Sequence, residues 1–165
     1  MSGPYLGKGN DNEWGAALGE ILTSMMRSDF SVVPSQYDRA CHLEYAGGVS
    51  VHGHEAAESF WLPLRASVPS AEFCIDHQIG LVDPHMPPRA AVRWSLNGQH
   101  DGWGTFGAPS HAPVYIMGIT HVEFGRYGIR REYTLFDETA VWMQILTHLG
   151  SVSYTHLRAH ETFAN

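Results

Sequence analysis

Three consecutive strands interrupted by polar residues hold the side chains of this sequence that could do chemistry. They are Ala90–His100, Val114–Phe124 and Ile129–Glu138, each rich in β-branched and aromatic residues. His100 ends the first, His121 lies within the second, and the third closes on the carboxylate pair Asp137-Glu138. Polar groups inside apolar strands must be bonded to partners or face a pocket. A carboxylate in an apolar pocket has its pKa raised, which suits removal of a proton next to a carbonyl. Asp137 has a second reading, as the N-cap of a closing helix over Ala140–Leu149. His121 likewise reads as a buried histidine bonded to backbone or to a carboxylate.

Strict alternation divides the middle strand. Tyr115, Met117, Ile119, His121 and Glu123 share one face, and Ile116, Gly118, Thr120, Val122 and Phe124 share the other. Both faces are apolar enough to be covered, so a homodimer packed on the outer face is expected, and either face could line a cavity. Arg131, Tyr133, Leu135 and Asp137 share a side unless a bulge breaks the count. His100 stands beside the Gly/Pro-rich loop Asp101–Pro113, either at a cavity mouth or simply exposed. Trp94, Trp61 and Tyr37 could line a pocket or pack in the core. His52-Gly53-His54-Glu55 lacks a third ligand at a recognisable spacing, so no metal is expected. Cys41 and Cys74 show no paired spacing and read as thiols.

These residues need a scaffold, and the rest of the chain supplies one. Trp14, Ala17, Leu18, Ile21, Leu22 and Met25 form the apolar stripe of a helix over Glu13–Arg27, with Asn12 as N-cap. A short helix is expected over Ser35–His42 and a third from His54 to Ser67. Ala71–Ile79 alternates as a half-buried strand, and Asp83–Pro88 reads as a proline-rich turn. Helices followed by a largely antiparallel sheet give the α+β class, a curved half-barrel wrapped around helices with a cavity for a small molecule.

At 165 residues, 44% hydrophobic and 16% charged, the chain is long and apolar enough for one folded domain. A net charge of −7 argues against a nucleic-acid partner. No run approaches the ~18 apolar residues of a membrane span. Met1–Asn12 lacks an apolar signal core, so a cytoplasmic location is expected. The final segment, Val152-Ser-Tyr-Thr-His-Leu-Arg-Ala-His-Glu-Thr162, resembles the conceptual translation of a sequencing-library adapter. Residues 151–165 are therefore expected to be a non-native tail and 1–150 the domain, which removes His156, His160 and Glu161 from any site.

Val92-Arg-Trp-Ser-Leu-Asn-Gly-Gln-His100, Gly118-Ile119 and Ile129-x-x-Glu-Tyr-x-x-Phe-Asp137 together resemble the SnoaL-like polyketide cyclases of the nuclear transport factor two-like superfamily. Gly53-His54-Glu55-Ala56-Ala57 fits that family's helix start, and the resemblance spans Tyr37–Leu149. It implies a cone-shaped α+β fold and a cofactor-free cyclase or isomerase acting on a small hydrophobic or aromatic carbonyl compound. On that resemblance Asp137 takes the place of the general acid/base and His121 a supporting place. His100, Trp94, Tyr133, Trp61 and Tyr37 are the substrate-binding candidates. Tyr133 stands where tryptophan is frequent, and Arg130-Arg131 where apolar or acidic residues are usual, which bears on the substrate. Other readings of the same fold are a non-catalytic ligand-binding or dimerisation domain, and a hydrolase whose carboxylate activates water.

Overall fold

The computed structural model describes residues 9–150. Helix α1 (Glu13–Met26) starts on the Asn12 side chain, which accepts from the Trp14 N–H at 3.0 Å. Leu18, Ile21, Leu22, Met25 and Met26 bury its inner face against β3 (Glu72–Asp83) and β4 (Met86–Gln99). A short helix α2 (Val32–Gln36) leads straight into β1 (Tyr37–Tyr45). The helix expected over Ser35–His42 is therefore mostly strand. Tyr37, Cys41, Leu43 and Tyr45 are its buried residues, and parallel pairing with β6 (Gly128–Phe136) outweighs local propensity.

A glycine turn at Ala46–Gly48 joins β1 to β2 (Val49–His52), which forms the sheet edge. Helix α3 (His54–Ser67) occupies the span read from the sequence. Strands β3, β4, β5 (Pro113–Gly125) and β6 form a meander. The sheet order is β2-β1-β6-β5-β4-β3, antiparallel except for β1 beside β6. β3 and β4 run further than their sequence patterns suggest, taking Met86, Pro87 and Pro88 into a strand where a turn was expected. Closing helix α4 (Glu138–His148) starts two residues earlier than expected, on an Asp137 cap. Among the described residues no helix is long and apolar enough to cross a membrane.

Burial settles the open question of faces. Ile116, Gly118, Thr120, Val122 and Phe124 point into the core with α1 and α3, while Tyr115, Met117 and Ile119 are exposed on the outer face. On β6 the pairing slips from Glu123↔Arg131 to Phe124↔Ile129, leaving Arg130 as an extra residue. That bulge lets Ile129 and Glu132 both point inward, which strict alternation would forbid.

Candidate functional site

The inward turn of Glu132 puts a carboxylate in the middle of the apolar core, fully buried. Three side chains from three elements converge on it. The Tyr37 hydroxyl at the start of β1 donates to Oε2 at 2.7 Å. The Trp61 indole of α3 donates to Oε1 at 3.1 Å, and the Thr134 hydroxyl of β6 to the same oxygen at 2.7 Å. The chain of contacts continues outward. Thr134 bonds Thr120 of β5 at 3.0 Å, and the Trp94 indole of β4 donates to the Thr120 hydroxyl at 3.0 Å.

Gly118 makes room for this arrangement. A Cβ there would come within 2.2 Å of the Trp94 indole, so only glycine lets that ring lie across β5. Trp61 and Trp94 then meet with ring centroids 5.8 Å apart.

Taking a carboxylate out of water costs several kcal/mol, and the converging donors offset only part of that cost. Burial accordingly raises the Glu132 pKa, opposed by the hydrogen bonds from Thr134, Tyr37 and Trp61. Burial, reinforced by the Glu132 charge, holds the Tyr37 hydroxyl well above its usual pKa, so it remains a donor.

Beside this network, at one end of the cone, lies a cavity of about 250 Å³. Tyr45, Phe60, Leu64, Phe136 and Thr105 are among its walls. The Tyr45 and Phe60 rings stack at 3.7 Å, with Phe136 6.2 Å from Phe60. The Tyr45 hydroxyl is buried and has no hydrogen-bond partner among the described residues, in a side chain only 7% exposed. Burial and the nearby Glu132 charge push its pKa up, so it too stays protonated. Pro63, inside α3, cannot donate, which leaves the Ser59 carbonyl at the cavity wall without its helical partner.

A strap covers this end of the cone. The segment after His100 lies along the C-terminal half of α3, where Gly102 N–H donates to the Ser67 carbonyl at 3.1 Å and Thr105 N–H to that of Pro63 at 3.2 Å. A Cβ on Gly104 would fall 2.1 Å from the Pro63 oxygen, so the close approach requires glycine. The strap delivers Phe106, nearly fully buried, edge-on to Phe136 and Trp142.

Tyr37 and Trp61 thus meet on one buried carboxylate, with Trp94 linked to it through Thr120 and Thr134, and that carboxylate is Glu132 rather than Asp137. The Asp137 side chain is exposed and accepts from the Ala140 N–H at 2.9 Å, the capping role that sequence left open. His121 and Tyr133 project from the outer face with their rings 5.9 Å apart. Asp137 and His121 are therefore not brought together: from Tyr133, opposite His121, Asp137 is four residues, or roughly 13 Å, further along the chain. His100 is neither exposed nor at the cavity wall. It is fully buried under the strap, and its Nδ1 meets the Ser110 hydroxyl at 3.0 Å while burial lowers its pKa. His54 is engaged by the Tyr37 carbonyl at 2.9 Å, and His52 stacks on His42. Among the described residues no cluster of three or more histidine, cysteine or acidic side chains is placed to hold a metal.

Sequence reasoning passed over Glu132 and Tyr45. The signal for Glu132 was present in Ile129-x-x-Glu-Tyr-Thr, a carboxylate among inward-facing apolar positions, but the Arg130 bulge hid which face it takes.

Comparison with solved structures identifies the architecture. A protein from Jannaschia sp. CCS1 described as a SnoaL-like polyketide cyclase superposes with a TM-score of 0.65 at 17% identity, covering 82% of this chain and 96% of its own. The chain has the SnoaL-like cone fold. IdmH from Streptomyces antibioticus, described as a polyketide cyclase, gives a TM-score of 0.65 at 13% identity, covering 84% and 99%. An epoxide hydrolase of Mycobacterium tuberculosis described as LEH-like gives 0.55 at 15% identity, covering 84% and 93%. No protein-family model matches the sequence, and neither does any curated protein.

Proposed function

We propose that this domain is a cofactor-free acid/base enzyme of the cyclase or isomerase type, acting on a small apolar or aromatic carbonyl compound. The buried Glu132 carboxyl, ringed by Tyr37, Trp61 and Thr134, carries the reading. A carboxyl whose pKa is lifted by burial is matched to proton transfer at neutral pH. The adjoining cavity suits the substrate, because Tyr45, Phe60 and Phe136 supply aromatic walls and parting them would free the buried Tyr45 hydroxyl to donate to a carbonyl oxygen. In an enolisation, Glu132 would take the α-proton while Tyr45 holds the oxygen on which negative charge develops. Glu132 is not among the residues that line the cavity, so the substrate must displace wall side chains such as the stacked Tyr45 and Phe60 to reach it.

A second reading, a binding domain without chemistry, is favoured by those wall side chains and by the full set of donors around Glu132. Deuterium exchange at the α-carbon of 2-tetralone, a bicyclic aromatic ketone, separates the two. The enzymatic reading expects exchange well above the buffer rate, reduced at least about a hundredfold by Glu132→Gln. Binding of the ketone without accelerated exchange would support the binding-domain reading. The half-exposed Tyr115, Met117, Ile119 and Leu135 support a second copy of the chain on the outer face, a proposal that light scattering tests directly.

A further inference from the structure

The outer face of the sheet carries a dent unrelated to the cone interior. Register places Ala91 between Ile79 on β3 and His121 on β5, and in the next row Arg89 between Leu81 and Glu123. A methyl group between an isoleucine and an imidazole leaves a hollow floored by Ala91. The pocket measures about 350 Å³ and also takes in Asn10 at its margin. Asn10 is fixed there by two 2.9 Å hydrogen bonds between its amide and the Gly80 backbone.

Apart from Asn10 at the margin, the lining side chains are apolar except for the basic Arg89 and His121. The Nε of Arg89 is buried without a hydrogen-bond partner among the described residues, a desolvated donor left unsatisfied. Glu123 stands opposite Arg89 in register, yet its carboxylate turns to Arg131 at 3.9 Å. Among the described residues Arg89 forms no ion pair. His121 is half-buried beside it. Burial lowers the His121 pKa, with Glu123 opposing and Arg89 adding to the fall. One permanent cation, one imidazole and a hydrophobic floor make a site for a single negative charge attached to an apolar body.

We propose that this pocket binds a small apolar monocarboxylate, with its carboxylate on Arg89 and His121 and its body over Ala91 between Ile79 and Leu81. The nearby Glu123 disfavours a dianion, which separates this ligand class from phosphate.

Titration of the full chain with benzoate, followed by ¹H–¹⁵N correlation of the His121 ring, tests the site. Benzoate is expected to shift the ring resonances saturably and to raise the His121 pKa, since a bound anion favours the imidazolium. Arg89→Gln is expected to weaken binding at least about tenfold. Ala91→Leu, which fills the floor without changing charge, should do the same, while Tyr45→Phe in the cone should leave binding unchanged. Absence of a saturable shift would overturn the proposal. So would binding of inorganic phosphate as tightly as benzoate, or unaltered affinity in both pocket variants.

Discussion

Replacing Glu132 by glutamine exposes the balance between burial and hydrogen bonding in the cone. Glutamine keeps an oxygen for Trp61 and Thr134, which share Oε1, but presents an amide N–H to Tyr37, whose hydroxyl must turn from donor to acceptor. The loss is one ordinary hydrogen bond, about 1 kcal/mol, under conditions where the native carboxyl is protonated. Burial raises the Glu132 pKa in the folded protein above its ordinary 4.5. The folded state thus keeps a proton that the unfolded chain has released, and the stability contributed by this group is lost as pH rises through the folded value. Glutamine has no such slope. Urea unfolding should therefore show the variant less stable by about 1 kcal/mol below the ordinary glutamate pKa, with the gap shrinking as pH rises through the raised folded value. His100, whose pKa burial lowers, contributes the opposite slope, but it is present in both proteins and cancels in the difference. A gap that stays constant or widens with pH would refute the reasoning, because it would mean that the donors stabilise the ion more than burial penalises it.

Other sites give simpler expectations. Gly118→Ala should cost about 1–3 kcal/mol or more in thermal or urea unfolding, because its Cβ would meet the Trp94 indole at 2.2 Å. Gly104→Ala should loosen the strap, seen as faster amide exchange at Thr105 and Phe106 with little change in the sheet, since its Cβ would collide with the Pro63 carbonyl. Asp137→Ala should lose about 1 kcal/mol of stability while Asp137→Asn, an equally good cap, loses almost none. Neither Asp137 variant should change the α-proton exchange rate.

Much of the fold could be read from the sequence because its helices and strands carry clear periodicity. The α1 stripe, the α3 span and the three long strands all follow from spacing, and helices before a sheet gave the α+β class. β1 escaped because its partner is β6, more than eighty residues away in the chain, and a parallel pairing leaves no hairpin signal. The site was legible in pieces. Tyr37, Trp61 and Trp94 read as residues that line a pocket or pack in the core, and each packs in the core with its polar atom in the interior network. What united them was not visible, since a single bulge at Arg130 decides that Glu132 rather than its neighbours faces inward. Asp137 and His121 drew notice for their chemistry, yet one caps a helix and the other lies on the opposite side of the sheet.

The central claim is that burial raises the Glu132 pKa and that a ligand bound in the cone comes within reach of its carboxyl. Titration of the side-chain carboxyl carbon by ¹³C NMR, with and without 2-tetralone, tests it most directly. The account predicts a Glu132 midpoint above the ordinary glutamate range that moves when the ketone binds. A midpoint within or below that range, indifferent to the ligand, would contradict it.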